Sequence, residues 1–299
     1  MSLIRGLMRA TQVVAPGLAA RLAERLFFTP PRTRASGALR AFLAGGRRFG
    51  LRVEGRRVVG WRWGQEGGPV VYLVHGWGGR GGRLGALVHP LRNAGYAVVT
   101  FDAPGHGASG LGMSSIPEFA RALTAVVALH GPAHAVIAHS LGAAGTALAV
   151  SWGLAARRLV FLAPPMDPAA WLTPFARALA LRQEVVAQMQ ARSERRLRFR
   201  WADLDVREMA RAMTVSLLVV HDQGDETVPW RDGAAIAAAW PGARLVTTQG
   251  LGHRGVVRVP DVVGEVVAFV AADGAPLPLD ASARLESELF YREARWTRS

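Results

Sequence analysis

The sequence predicts an α/β fold built on a mainly parallel, eight-stranded sheet with helices on both faces. Short, valine-rich runs recur from about residue 50 onward, and stretches with helical periodicity separate them. The runs are continuously apolar rather than alternating, which is typical of strands that are covered on both faces. The 299 residues are 50% hydrophobic and 19% charged, a composition that can bury a substantial core.

The predicted elements follow one another in strand–helix order. The first two strands form an antiparallel hairpin that turns at Gly55, and the strand–helix repetition after them implies a mainly parallel arrangement. The strands are predicted at 51–54, 57–63, 70–75, 97–101, 135–139, 158–162, 215–221 and 243–248. The helices between them are predicted at 84–94, 117–130, 141–154, 232–240 and 260–271.

The domain organisation follows from where this pattern begins and stops. Residues 1–48 form an N-terminal helical segment, and residues 49–275 form the main domain. Within that domain, residues 164–213 contain no strand-like run and are predicted to form a helical cap over the sheet edge where ligands bind. Residues 276–299 form a C-terminal tail that would dock on the domain or mediate self-association.

Two amphipathic helices are predicted in the N-terminal segment, at 2–14 and 17–28, divided at Pro16. Arginines interrupt the apolar residues, so the segment does not read as a signal peptide. We expect these helices to pack on the main domain, and the alternative is peripheral contact with an anionic membrane. Apolar runs of about five to eight residues are too short for a transmembrane helix, and we expect a cytoplasmic protein.

The net charge of +14 raises the question of nucleic-acid binding. All 36 basic residues are arginine, and although residues 1–53 hold ten of them with one acid, Glu24, the rest are spread along the chain. Proteins that follow a phosphate backbone concentrate their charge on one patch, so we expect no nucleic-acid partner. The lack of cysteine excludes disulfides and a thiolate nucleophile. No metal-ligand spacing occurs, and we predict no metal and no cofactor.

A candidate nucleophile lies where a strand turns directly into a helix, at residues 138–142 (AHSLG). Such a turn strains its central residue and needs small residues two positions before and after it, so that strand and helix can approach. Ala138 and Gly142 meet that need, and Ser140 would project its Oγ above the sheet. A second segment with this spacing of small residues is centred on Ser151 and has no strand before it. Ser151 is therefore predicted to be an ordinary helix residue.

A serine hydroxyl becomes nucleophilic when an imidazole removes its proton and a carboxylate orients that imidazole. Asp225 follows one predicted strand in the segment DETVP, and His253 follows the last strand in the segment GLGHRG. The order Ser140, Asp225, His253 is the order expected for this type of sheet. Asp222 is an alternative acid, but the Val-Pro spacing favours Asp225, and Asp222 would then hydrogen-bond the loop.

Together these motifs resemble the serine hydrolases of the α/β-hydrolase superfamily, which include esterases, lipases and thioesterases. Residues 75–79 (HGWGG) resemble the oxyanion loop of that superfamily, and residues 101–109 (FDAPGHGAS) resemble the loop after its fourth strand. The resemblance covers about residues 50–272 and departs from the common pattern at Ala138, where glycine is more usual.

The resemblance implies hydrolysis of a carboxylic ester through an acyl-enzyme, with a Ser140–His253–Asp225 triad. The backbone N–H groups of Trp77 and Leu141 would form the oxyanion hole. The alternatives are an acyl-CoA thioesterase, a membrane-associated lipase-like enzyme and a non-catalytic binding module on the same fold.

The predicted substrate is an ester or thioester with a small or medium apolar acyl group, because the cap is rich in apolar residues that would contact it. Packing of the cap would require the same residues. The predicted substrate-binding residues are His75, Gly76, Trp77, His139, Trp171 and Phe175. Alternatively His75 and His139, with His106 and His221, bond loop backbone. The five arginines within 192–201 would grip a phosphate, a carboxylate or an anionic bilayer, or else form a solvated helix face.

Overall fold

The computed structural model describes residues 2–32 and 34–272, and its centre is one eight-stranded sheet with the strand order β1-β2-β4-β3-β5-β6-β7-β8. The strands are β1 Arg47–Val53, β2 Arg56–Trp63, β3 Val70–Val74, β4 Ala97–Asp102, β5 Ala133–His139, β6 Ala156–Leu162, β7 Ser216–Asp222 and β8 Arg244–Thr248. Strand β2 pairs antiparallel with β1 and with β4, and the remaining pairs are parallel. The predicted fold class is therefore confirmed.

Twelve α-helices are described, together with several short 3₁₀ turns. They are α1 Ser2–Val14, α2 Pro16–Phe28, α3 Gly37–Ala44, α4 Val88–Asn93, α5 Ile116–His130, α6 Leu141–Ser151, α7 Leu172–Leu179, α8 Gln183–Leu197, α9 Val206–Ala210, α10 Trp230–Ala239, α11 Gly252–Gly255 and α12 Pro260–Ala271. No helix within residues 2–32 and 34–272 is long and apolar enough to cross a membrane. The predicted tail at 276–299 lies outside the described residues.

Two hydrophobic clusters flank the sheet, one on each face. All five residues of β3 are buried, and Tyr72 and Val74 join the cluster that includes residues of α5 and α6. Val71 and Leu73 point the other way, into the cluster formed with α3, α4 and α12. Burial on both faces explains why the strand is continuously apolar.

The first hairpin shows where the sequence pattern was weak. Strand β1 begins at Arg47, four residues before the predicted start, because its exposed arginines break the apolar run that would reveal a strand. Glu54 and Gly55 both have positive φ, 49° and 76°, as a tight hairpin turn that follows the twist of the strands requires.

Two helices differ from the prediction. Helix α3 was not predicted; Ser36 caps it by accepting the Leu39 N–H at 3.1 Å, and its buried Leu39 and Leu43 hold it against the sheet domain. The single helix predicted at 84–94 is a 3₁₀ turn, Gly81–Leu87, followed by the short α4. Pro90 lies in the first turn of α4, the position in a helix that tolerates a missing N–H.

Three helices, α7, α8 and α9, fill the interval between β6 and β7 where the cap was predicted. The N-terminal helices pack on this cap. Helix α2 lies against α8, where Ala19, Ala20 and Ala23 are fully buried, and α1 contacts α2 and α7. Alanines permit this close approach because they present no more than a methyl group to the facing helix.

Candidate active site

Ser140 lies between the end of β5 and the start of α6, in a conformation that non-glycine residues rarely adopt. Its φ is 54° and its ψ is −128°, so the turn stores strain at this residue. Two residues later, a Cβ on Gly142 would lie 2.5 Å from the carbonyl oxygen of His75 and 2.8 Å from that of Val74. Both neighbours are backbone atoms of the adjacent loop and strand, so the turn requires glycine at this position.

The structure brings Ser140, His253 and Asp225 together although they are distant in sequence. His253 Nε2 lies 3.0 Å from Ser140 Oγ, and His253 Nδ1 lies 2.7 Å from Asp225 Oδ2. The other carboxylate oxygen of Asp225 accepts the N–H groups of Thr227 and Val228, each at 2.8 Å. These two bonds fix the carboxylate so that Oδ2 faces the imidazole.

The environment of Asp225 favours its ionised form. Burial raises the pKa of this carboxyl, but hydrogen bonds from His221 and His253 outweigh the burial and hold the pKa well below its ordinary value. His221 Nε2 lies 3.4 Å from Asp225 Oδ2. The carboxylate therefore stays charged at neutral pH, the state that can stabilise a positive imidazole at His253.

Asp222 holds the loop that carries His253. Its carboxylate accepts the backbone N–H groups of Leu251 and Gly252, each at 3.0 Å, and the hydroxyl of Thr248 at 2.8 Å. Of the two candidate acids, Asp225 contacts the imidazole of His253, and Asp222 contacts the backbone of the loop that carries His253.

Two buried histidines hold the loop at residues 75–79. His75 donates from Nδ1 to its neighbour Gly76 O at 2.7 Å and accepts the Ala103 N–H on Nε2 at 3.0 Å. His106 Nε2 accepts the Gly78 N–H at 3.1 Å. Burial lowers the pKa of both histidines, to about 4 for His106, so each stays neutral and keeps one ring nitrogen as an acceptor.

This loop touches the candidate nucleophile. A Cβ on Gly76 would lie 2.8 Å from Ser140 Cβ and 3.3 Å from Ser140 Oγ, so the close approach depends on glycine. Trp77, the next residue, and Leu141 line one cavity together with Ser140. Leu141 is the first residue of α6, and its N–H has no acceptor within the helix.

That cavity, which we call the acyl cavity, has a volume of about 420 Å³ and is lined almost entirely by apolar side chains. Its aromatic lining comes from the end of α2, the loop beside Ser140 and the cap. These aromatic residues are Phe27, Phe28, Trp77, Trp171, Phe175, Phe199 and Trp201. The ring of Phe27 lies 5.0 Å from that of Phe175 and 5.4 Å from that of Trp201 between centroids.

Three of the six predicted substrate-binding residues line the acyl cavity, namely Trp77, Trp171 and Phe175. His75, Gly76 and His139 do not, because each is buried behind the cavity surface. Both ring nitrogens of His75 are engaged with backbone, and His139 donates from Nε2 to the carbonyl oxygen of His253 at 2.9 Å. Burial, followed by the electrostatic interaction with the His253 ring, lowers the pKa of His139 to about 3. The alternative expectation, that these histidines bond loop backbone, describes both positions.

The sequence pattern did not reveal the contribution of α2 to the cavity. Leu26, Phe27, Phe28 and Thr29 line it, although the N-terminal segment was treated as separate from the site. The available signal was the pair of aromatic residues that ends an otherwise amphipathic, arginine-containing helix.

The second serine motif lies at the end of a helix. Ser151 is the last residue of α6, and its Oγ donates to Leu148 O at 2.8 Å, as in an ordinary helix terminus. Within residues 2–32 and 34–272, no group of three or more His, Asp or Glu side chains could hold a metal ion.

The fold and its relatives define the class of protein. The chain is a hydrolase of the α/β-hydrolase superfamily. A family model described as "Serine aminopeptidase, S33" matches residues 66–218, just over half of the chain, and the chain belongs to this family. The matched residues include Ser140 and end before Asp225 and His253.

Individual relatives agree with this assignment. A protein of Cronobacter turicensis with the name "Putative carbamate hydrolase RutD" is 27% identical over 255 residues, which cover 71% of this chain and 94% of that protein. A hydrolase from Pseudomonas aeruginosa superposes with a TM-score of 0.60 at 22% identity, covering 75% of this chain and 98% of that one. The esterase RhEst1 from a Rhodococcus species superposes with a TM-score of 0.56 at 18% identity, covering 77% and 100%. At these identities the two structures show the shared fold.

Proposed function

We propose that the protein is a serine hydrolase that cleaves carboxylic esters through an acyl-Ser140 intermediate. The observation that carries this proposal is the hydrogen-bonded series from Ser140 Oγ through His253 to Asp225, at 3.0 and 2.7 Å, beside an apolar cavity. A nucleophile, a base and an orienting acid within hydrogen-bond reach are the arrangement that acyl transfer needs.

The first half-reaction forms the acyl-enzyme. His253 Nε2 accepts the hydroxyl proton of Ser140 while Oγ forms a bond to the carbonyl carbon of the substrate. The backbone N–H groups of Trp77 and Leu141 donate to the oxygen that becomes negative. The ester C–O bond then breaks, and the leaving alcohol takes the proton from His253.

The second half-reaction releases the acid. His253 accepts a proton from water, and the water oxygen bonds to the acyl carbon. The bond from that carbon to Ser140 Oγ breaks, and the serine oxygen recovers the proton from His253. Asp225 remains ionised throughout and stabilises the positive imidazole in both steps.

The acyl cavity favours an uncharged, apolar acyl group. No acidic or basic side chain is among the described residues that line it, and its volume of about 420 Å³ lies within the range of small-molecule sites. A peptide amino terminus would bring a positive charge into this lining without a carboxylate to pair with it, at a large desolvation cost. The lining therefore favours an ester over the aminopeptidase substrate that the family description suggests.

A fluorophosphonate probe followed by peptide mapping tests the nucleophile. We expect labelling at Ser140 in the folded protein, with Ser151 as the internal control serine that remains unlabelled. Ser140→Ala should abolish labelling and lower ester turnover by about 10⁴-fold or more. Labelling at Ser151, or near-full activity of Ser140→Ala, would refute the proposal.

The two aspartates provide a matched pair of variants. Asp225→Asn should lower kcat by about 10³- to 10⁴-fold, because it disturbs the tautomer and charge of His253. Asp222→Asn should lower the free energy of unfolding instead, because it weakens the acceptor for Leu251, Gly252 and Thr248. Equal effects of both variants on kcat would contradict the assignment of Asp225 as the orienting acid.

A further inference from the structure

A second cavity, of about 570 Å³, lies beside the acyl cavity and has charged side chains in its lining. We call it the arginine cavity, because among the residues that the structure describes five arginines line it together with one acid, Glu24. These arginines are Arg21, Arg25, Arg32, Arg192 and Arg196.

The two cavities are immediate neighbours. Thr29 lines both, and in three places one residue lines the arginine cavity while the next lines the acyl cavity. These consecutive pairs are Arg25 with Leu26, Met113 with Ser114, and Arg196 with Leu197. Phe28 lies where the two cavities meet. Its ring lines the acyl cavity, and the guanidinium carbon of Arg196 lies 4.9 Å from the ring centroid.

The positive charge in the arginine cavity is only partly compensated. Glu24 is buried, with Oε1 2.8 Å from Arg196 Nε and Oε2 3.3 Å from Arg192 Nε, and this contact joins α2 to α8. Arg21, Arg25 and Arg32 are exposed and form no ion pair with any acid in the part of the chain that the structure describes. Several guanidinium groups around one cavity match the geometry and charge of phosphate oxygens.

We propose that the arginine cavity binds a phosphate group of the substrate while its apolar acyl chain occupies the acyl cavity. This inference rests on the proposed acyl-enzyme chemistry at Ser140, specifies its substrate class and extends it to thioesters. The phosphate has two sources that share this chemistry, namely a water-soluble acyl thioester whose leaving group carries phosphate and a lysophospholipid headgroup at a bilayer surface.

Matched substrate pairs separate recognition of phosphate from recognition of the chain. Decanoyl-coenzyme A is compared with S-decanoyl-N-acetylcysteamine, which has the same thioester without phosphate. Decanoyl lysophosphatidate is compared with monodecanoylglycerol, which lacks the phosphate. Each is hydrolysed by the wild type, by the variant R21Q/R25Q/R32Q and by a control variant with the same charge change outside both cavities. The control substitutions are R57Q/R177Q/R258Q, all at exposed positions.

We expect R21Q/R25Q/R32Q to lower kcat/KM for the phosphate-bearing member of one pair by about 10- to 100-fold, mainly through KM. The neutral member of that pair should change by no more than about twofold, since it depends on burial of the chain alone. The control variant should hydrolyse all four substrates like the wild type. The pair that responds identifies whether the phosphate belongs to a soluble thioester or to a lipid.

Equal kcat/KM for the charged and neutral members of both pairs in the wild type would overturn the proposal, and so would an equal loss in the control variant. Binding of decyl phosphate and decanol to Ser140→Ala, measured by calorimetry, keeps this outcome separate from failure of the catalytic proposal. We expect decyl phosphate to bind at least about tenfold more tightly than decanol, and R21Q/R25Q/R32Q to remove the difference. Equal binding of decyl phosphate and decanol would refute phosphate binding in the arginine cavity, even if the protein proves to be an active esterase. Tighter binding of decyl phosphate than of decanol would support phosphate binding in the arginine cavity even if the wild type hydrolyses none of the esters. Lack of hydrolysis of every ester would refute catalysis at Ser140.

Discussion

The preference for acyl-chain length tests the acyl cavity directly, and Phe27 is the side chain to change. It lies in the last turn of α2, and its ring packs edge-on against Phe175 and at an angle against Trp201. Phe27→Ala removes that ring from the cavity wall and leaves Ser140, His253 and Asp225 in place. The variant therefore changes the space for the chain without changing the reacting groups.

The expected magnitude follows from burial. Each methylene that enters an apolar site contributes about 0.8 kcal/mol, which is about fourfold in kcat/KM. In the wild type we expect kcat/KM to rise by this factor for each added methylene until the chain fills the cavity of about 420 Å³, and then to level off. In Phe27→Ala the rise should continue to longer chains. The lost packing should lower the free energy of unfolding by about 1–2 kcal/mol, less than for a fully buried ring, because Phe27 is half-buried.

The assay is kcat/KM for p-nitrophenyl esters from acetate to dodecanoate, with urea unfolding of each variant to measure stability. Phe42→Ala is the matched control, because Phe42 stacks on Trp63 at 5.2 Å and neither residue lines the acyl cavity. This control should lose stability and keep the wild-type chain-length profile. A flat profile in the wild type, or an unchanged limit in Phe27→Ala, would refute the assignment of the cavity to the acyl chain.

Three further variants test the framework around the site. The pKa of His106 falls from an ordinary 6.5 to about 4 in the folded protein. As the pH falls from about 6.5 to about 4, the unfolded chain therefore binds a proton at this residue before the folded chain does. The free energy of unfolding should fall over this pH range by up to about 3 kcal/mol for this residue. Urea unfolding at pH 7 and pH 4 should show His106→Gln losing less stability on acidification than the wild type, and an equal loss would contradict this account. Gly142→Ala should lower kcat by about 100-fold or more, because the new Cβ would lie 2.5 Å from a backbone oxygen. The control is Gly264→Ala inside α12, where a Cβ has no neighbour within 4 Å, and it should leave kcat unchanged and stability unchanged or slightly higher. Similar effects of the two substitutions on kcat would refute the steric argument. Glu24→Gln should lower the free energy of unfolding by about 1–2 kcal/mol. This is less than for a fully buried ion pair, because both arginine partners of Glu24 are partly exposed. An unchanged midpoint of urea unfolding would show that this contact does not hold α2 on the cap.

The positions of the three candidate catalytic residues were predictable from the sequence because these residues lie just after the ends of strands. A parallel sheet brings the ends of β5, β7 and β8 to one edge, so Ser140, Asp225 and His253 needed only short loops to meet. The choice of Asp225 over Asp222 also followed from local spacing. Local sequence was sufficient in these cases because the sheet supplies the long-range geometry.

The cavity wall was not predictable in the same way. Whether Phe27 and Phe28 face solvent, a membrane or the substrate depends on how α2 docks on α8, and that docking depends on three alanines and on Glu24 contacting arginines more than 160 residues away. Local periodicity marks an amphipathic face but does not identify its partner. The histidines behind the site were ambiguous for a related reason, since a motif fixes the position of His75 in a loop and leaves open which backbone groups its ring contacts.

The contribution of α2 to the acyl cavity has a consequence for engineering. Part of the cavity wall beside Ser140 comes from α2. This helix precedes the sheet in the chain and is separate from the strands and loops that carry Ser140, His253 and Asp225. Under the proposed function, replacing residues 16–28 with a different helix would change which acyl chain the protein accepts without altering Ser140, His253 or Asp225. Trimming the first thirty residues to obtain a shorter protein would open the site to water.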